Sequence, residues 1–192
     1  MENHNIKLFD QISSQWRKNI PKKNYIIAKE IIESLHITKD QSILDVGCGT
    51  GILYPIIKDT NISKYIAVDI SEKMIKEFLQ FYPNADVRLM NFENKIKFEE
   101  TFDYIIIFNS IPHFYDLNSV FENAYNNLKP HGKFIIAHCR TREDLKEHHK
   151  LIGYTSIDPI PKDDTLNKLC NKYNFKEMKI HDINYFYFCC KK

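Results

Sequence analysis

Residues 42–51 read SILDVGCGTG and hold three of the five glycines in a chain of 192 residues: Gly47, Gly49 and Gly51. They follow a short β-rich run and precede a helical stretch that begins near Ile52. Glycine is needed where backbone turns tightly or meets a ligand without a Cβ in the way. A plain strand-to-helix turn needs one. Three so close together predict a ligand loop at the C-terminal end of a strand, the place where open α/β sheets bind.

The spacing narrows the ligand. A dinucleotide loop reads G-x-G-x-x-G, and counting from Gly47 puts Ile52 where the last glycine would stand. The P-loop pattern also fails, because no Lys-Ser or Lys-Thr follows. Asp45 adds a charge argument: a carboxylate at the strand end repels a pyrophosphate seated in the same loop and attracts a cation. S-adenosylmethionine carries an ammonium and a sulfonium and no phosphate.

Outward from the loop, short runs dense in Ile, Val, Phe and Tyr alternate with helical patterns, which predicts a parallel sheet with crossover helices. Strands are expected at 42–46, 65–69, 86–90, 104–108 and 133–139, without clean alternation, as suits strands buried on both faces. Met74, Ile75, Phe78, Leu79 and Tyr82 recur at helical spacing behind a Ser71 cap. Leu117, Val120, Phe121, Ala124 and Leu128 form a second stripe, stopped by K-P-H-G at 129–132. Further helices are expected around Ala28–Ile31–Ile32–Leu35 and Leu166–Leu169–Cys170–Tyr173. The tail, 175–181 and 183–190, reads as two strands joined by a very short turn, which should pair antiparallel.

Composition excludes several classes. Hydrophobic residues make up 43% of the chain, and the net charge is only +2. The lysines are scattered, so no polyanion-binding face and no nucleic-acid partner are expected. Residues 1–16, MENHNIKLFDQISSQW, lack the apolar core of a signal peptide. No apolar run approaches the roughly 20 residues that span a bilayer, so a cytoplasmic protein without a membrane partner is expected. Five cysteines with no C-x-x-C among them predict buried free thiols.

The segment ILDVGCGTGIL, 43–53, resembles the first motif of class I S-adenosylmethionine-dependent methyltransferases. The likeness covers about residues 40–138 well, and the order of elements through the final hairpin. It implies an α/β fold: a Rossmann-like three-layer sandwich with a seven-stranded, mostly parallel sheet of order 3-2-1-4-5-7-6 and an antiparallel C-terminal hairpin. One methyltransferase domain over 1–192 would carry it. The cofactor implied is S-adenosyl-L-methionine, with S-adenosyl-L-homocysteine as product. Asp45, Gly47, Cys48, Gly49 and Gly51 would surround its methionine and sulfonium end. Asp69, 18 residues past Gly51, stands where members place the acid that accepts from both ribose hydroxyls. Ile70 would pack on the adenine, with Met74 among the cofactor contacts. The third element departs from the pattern, since Asn91-Phe92 stands where members often carry an acid for the adenine amino group. Asn91 can still accept through its side-chain oxygen, and Phe92 offers a backbone N–H or a ring face. Asn109 ends the fourth strand beside the expected cofactor position.

Methyl transfer from a sulfonium is an in-line displacement that needs alignment and a water-poor pocket, and a base only for an acceptor that is protonated at working pH. His113, on the loop after the fourth strand, is the candidate base. A plain loop histidine fits the sequence equally well. Residues 140–162 form a long connection, read as an insertion that shapes the acceptor pocket. His138, Arg140, Arg142, His148 and His149 cluster there and suit an anionic acceptor or, through His148 and His149, a metal. The plainer reading is a solvated helix with incidental histidines, and no metal is assigned. Residues 1–40 are read as an N-terminal helical lid, with Phe9, Trp16 and Tyr25 as its aromatics. The leading expectation is a monomer or homodimer that methylates a small molecule. The alternatives are a non-catalytic S-adenosylmethionine-binding protein and a protein methyltransferase.

Overall fold

The computed structural model describes residues 10, 11, 13–151, 153 and 158–192. β1 (Ser42–Val46), buried along its whole length, pairs in parallel with β2 (Lys64–Asp69) on one side and β4 (Phe102–Phe108) on the other. β3 (Val87–Leu89) lies outside β2, and β5 (Leu128–His138) lies outside β4. β6 (Lys176–Asp182) and β7 (Phe186–Lys191) form an antiparallel hairpin, with β7 set against β5. The sheet order is β3-β2-β1-β4-β5-β7-β6, the order that the resemblance implied.

The helices are α1 (Lys22–Ser34), α2 (Tyr54–Ile57), α3 (Glu72–Phe81), α4 (Leu117–Asn127), α5 (Arg142–Leu151) and α6 (Asp163–Lys172). Side chains alternate across each strand, which splits the core into two layers. Leu44, Val46, Ile66, Val68, Ile105 and Ile107 share one layer with the apolar faces of α4 and α6. Ile43, Tyr104, Ile106 and Ile135 share the other with Ile27, Ala28, Ile31 and Ile32 of α1. Among the described residues, no helix is long and apolar enough to cross a membrane.

Three boundaries differ from expectation. β3 has three residues rather than five, because it is an edge strand with one neighbour and leaves Leu89 60% exposed. β5 begins at Leu128, where a helix end and turn were expected: Leu128 pairs with Phe102 before a register shift restores the regular ladder. The hairpin turn falls at 183–185, later than the spacing suggested.

Two buried asparagines, one turn apart on α4, hold the crossing from β3 to β4. Asn123 donates to the carbonyls of Phe92 and Asn94, both at 2.7 Å, and accepts from the Ile96 N–H at 3.1 Å. Asn127 accepts from the Phe98 N–H at 2.8 Å and donates to the carbonyls of Ile96 and Asn123 at 3.1 and 2.8 Å. Irregular backbone that runs under a helix must find such partners, since water cannot reach it. Asn123→Leu keeps the branched side-chain shape but strands two carbonyls and an N–H. It should destabilise the fold by about 2–4 kcal/mol, read as a lower urea midpoint with an unchanged slope.

Candidate active site

A cavity of about 760 Å³ lies over the C-terminal ends of β1, β2, β4 and β5, within the size range of small-molecule sites. The loop after β1 forms its floor and is stitched to β2. The N–H groups of Gly47 and Cys48 donate to the Val68 carbonyl at 2.8 and 3.1 Å. The Gly49 N–H donates to Asp69 Oδ2 at 2.8 Å, and the Gly51 N–H donates back to the Cys48 carbonyl at 3.0 Å. Gly47 and Gly51 have positive φ and no room for a side chain: a Cβ would come 2.7 Å from Ser110 Cβ and 2.7 Å from the Phe78 ring. Gly49 is different. It too has positive φ, but nothing lies within 4 Å of where its Cβ would stand. Gly49 lines the cavity.

Asp69, only 8% exposed, lines the cavity and is aimed by two backbone donors, Gly49 N–H and Ser71 N–H (2.9 Å to Oδ1). Burial raises its carboxyl above the usual range, and these N–H bonds oppose that rise. Ser71 also caps α3, accepting from the Met74 N–H at 3.1 Å, as the sequence predicted. Ile70 and buried Met74 line the same end.

Asp45 sits apart from this wall. Its carboxylate is 2% exposed and accepts from the Tyr65 hydroxyl at 2.6 Å behind the loop. Burial pushes its pKa to about 7, against the lowering effect of Tyr65, and the charge of Asp69 adds to the rise. Asp45 does not line the cavity, and Tyr65 engages one of its carboxylate oxygens. Cys48 lines the cavity with its thiol pushed well above its ordinary value by burial.

Asn91 and Phe92 follow β3 and line the cavity. Asn91 Oδ1 already accepts from the Glu93 N–H at 2.9 Å, so its amide hydrogens and one lone pair remain. The Phe92 ring is 2% exposed and belongs to the core, which leaves its backbone to the cavity. Asn109, at φ +58, lines the cavity, but its amide is tied to Cys139: Oδ1 accepts from the Cys139 N–H at 2.8 Å, and Nδ2 lies 3.4 Å from Sγ.

Over the loop lies the N-terminal segment. Trp16, 39% exposed, lines the cavity with Asn19, Ile20 and Asn24, while Tyr25 is half-buried on α1 and does not. Sequence reasoning missed Arg17. Its guanidinium donates to the Thr50 carbonyl at 3.1 Å and to the Tyr82 hydroxyl at 2.8 Å, and it stacks 4.0 Å over the Phe81 ring. Asp10 accepts from the Ser71 hydroxyl at 2.6 Å. An arginine beside the only tryptophan was the available signal. Phe9, with the rest of 1–9, lies outside the described residues, as do 152 and 154–157 of the long connection.

The opposite wall gathers His113, His138, Arg140, His148 and His149. His138 and His149 are buried, and burial pushes His113 and His138 down to about 4. Arg142, by contrast, is structural: it pairs with Asp163 at 2.7 Å and Asp182 at 3.2 Å and donates to the Pro161 carbonyl. Among the described residues, no group of three or more His, Cys, Asp or Glu is placed to hold a metal ion.

Residues 37–183 match a family model described as a methyltransferase domain, and the chain belongs to that family. It is 30% identical over 148 residues to a ubiquinone/menaquinone biosynthesis C-methyltransferase of Rickettsia typhi, covering 70% of this chain and 59% of that protein. It is 25% identical over 169 residues to an O-methyltransferase of Aspergillus sclerotiorum, covering 82% and 63%. The chain thus spans less than two-thirds of either relative. A solved S-adenosylmethionine-dependent methyltransferase of Thermotoga maritima superposes with a TM-score of 0.77 at 18% identity, covering 98% of this chain and all of that one.

Asp45 yields a pH test of the ligand-free protein. A carboxyl held at about 7 in the fold and near 3.8 when unfolded binds its proton more tightly when folded. Its contribution is complete below about pH 4 and is lost as pH rises through 7. Asp45→Asn should match the wild type in stability near pH 4 and exceed it by about 2–4 kcal/mol at pH 8, measured by denaturation at both pH values.

Proposed function

We propose that this chain is an S-adenosyl-L-methionine-dependent methyltransferase that transfers the methyl group to a small molecule by in-line displacement. The observation that carries the reading is the glycine loop at the end of β1, open at Gly49 and locked to the carboxylate of Asp69. The donor set fits this cofactor and not a phosphate: the N–H groups of Gly47, Cys48, Gly49 and Gly51 are all bonded within the protein. Phosphate-binding loops need such donors turned to the ligand. Asp69 has two N–H bonds and lone pairs left over, which suits a vicinal diol.

In this reading Asp69 holds the ribose hydroxyls, while Ile70 and Met74 pack on the adenine. Asn91 and the Phe92 backbone N–H meet the adenine edge, and Gly47, Cys48 and Gly49 form the floor. When bound, the cofactor supplies an electrophilic methyl group on a sulfonium. Asn109, fixed to Cys139, sets the floor between the cofactor end and the acceptor end. Trp16 and the 10–24 segment exclude water from one side, and α5 does so from the other. His113 is neutral near pH 7 because burial lowers its pKa to about 4, which leaves one ring nitrogen as an acceptor but makes it a weak base for an acceptor proton. Cytoplasmic work on a small molecule, as a monomer or homodimer, completes the reading. The relatives' names include both C- and O-methylation, so the acceptor atom is left to experiment.

Calorimetric titration tests the cofactor. S-adenosylmethionine and S-adenosylhomocysteine should bind at micromolar concentration and NADH should not; the reverse pattern would overturn the reading. Asp69→Ala should weaken S-adenosylhomocysteine binding by about 1.5–3 kcal/mol, the loss of charge-assisted hydrogen bonds. Unchanged affinity would mean that the ribose is held elsewhere.

A further inference from the structure

The cavity is electrically lopsided. Its two lining carboxylates, Asp69 and Glu93, stand at the β2 and β3 end. Glu93 is engaged there, accepting from the N–H groups of Tyr115 and Asp116 at 2.5 and 2.6 Å. The other end is walled by residues that follow β4 and β5 and by α5, and its lining includes no acid. It contains Arg140 and four histidines.

Two arginines stand two residues apart at this end with opposite fates. Arg142 is held by two aspartates and a carbonyl, and its guanidinium lies 4.5 Å over the Phe186 ring. Arg140 lines the mouth of the cavity, and among the described residues no carboxylate pairs with its guanidinium. Arg140 is exposed to solvent at the mouth, so its charge is carried without a counter-ion among the described residues and stays open to an anionic ligand.

The histidines fit the same ligand. The Arg140 N–H donates to His138 Nδ1 at 3.0 Å, so the neutral ring carries its proton on Nε2 and presents a donor. Burial pushes His138 down to about 4 and lowers His149 as well, and the nearby Arg140 charge acts on both in the same direction. A metal ion or an ammonium would meet the Arg140 charge and find no carboxylate to offset it. An oxyanion meets one guanidinium at the exposed mouth and at least one N–H donor on the buried His138 ring, and bonds to an ionised donor are the stronger kind.

We infer that the wall formed by His113, His138, Arg140 and His149 receives an anionic group of the methyl acceptor, a carboxylate or a phosphate monoester, with Arg140 as its counter-charge. The inference rests on the proposed methyl transfer at this cavity and names its acceptor class. Arg140 grips the anion at the mouth, and the reacting atom lies deeper, toward Asn109 and the cofactor end.

The test uses the full chain saturated with S-adenosylhomocysteine and follows the histidine ring resonances by NMR. Inorganic phosphate and acetate serve as anionic probes, with ethylammonium as the cationic one. Phosphate or acetate should shift His138 and His149 saturably, and ethylammonium should not. Arg140→Met should weaken the anion by about tenfold or more, and Arg140→Lys should recover most of it. Both variants should keep the wild-type melting temperature, because no described carboxylate loses a partner. No saturable response to either anion, equal affinity in Arg140→Met, or preference for ethylammonium would overturn the inference. The same titration without S-adenosylhomocysteine separates the two readings. A chain that binds the anion but not S-adenosylhomocysteine refutes the cofactor assignment alone, and the opposite result refutes the acceptor class alone.

Discussion

Three consecutive backbone N–H groups leave the end of β1 in one direction: Gly47 and Cys48 onto the Val68 carbonyl, and Gly49 onto the Asp69 carboxylate. Left-handed backbone at Gly47, Gly49 and Gly51 is what allows the chain to turn that way. The same bonds fix the rotamer of Asp69, bring Ser110 and Phe78 into the space where side chains would otherwise stand, and leave the loop few donors for a ligand. Ligand class and sheet geometry therefore follow from one local constraint. A loop with its N–H groups turned outward would suit phosphate. This one presents bare backbone and a carboxylate, which suits a ligand with hydroxyls and positive charge.

Legibility in the sequence followed the range of the interaction. The strand order came through the family resemblance that the glycine loop supports. The loop itself and the Ser71 cap are written in short windows, where spacing carries the message. The partners of Asp45 and Arg17 are not. Tyr65 reaches Asp45 from the neighbouring strand, and Arg17 reaches Thr50 and Tyr82 from segments far along the chain. No pattern in the sequence joins them. Asn123 and Asn127 interrupt an otherwise apolar stripe on α4, and a one-dimensional reading passes over them as surface residues. Their role depends on a loop that crosses beneath the helix. The short edge strand β3 was over-extended for a similar reason, because an edge position is a property of the sheet and not of the segment.

The cavity draws its walls from elements with different tasks. Its floor is rigid, built from strand ends and buried hydrogen bonds such as the Asn109–Cys139 pair. Its roof near the loop is a separate segment, held by Arg17 and by the contact between Asp10 and Ser71. Both attachments land on the loop or the helix that follows β2, so the roof is coupled to the elements that line one end of the cavity. The far wall is anchored differently, through Arg142 to the hairpin end at Asp182 and to α6 at Asp163. Two coverings thus rest on two separate sets of anchors.

The placement of β7 has a consequence for how the protein is made. β5 receives its second neighbour only from residues 186–191, the last strand in the chain. Until that strand emerges, β5 is an open edge of buried isoleucine and phenylalanine, and His138 and Arg140 at its end have only half a frame. Such an edge is a template for pairing with other chains. Completion of the sheet is therefore a long-range event, and β5 keeps an adhesive edge until residues 186–191 pair with it.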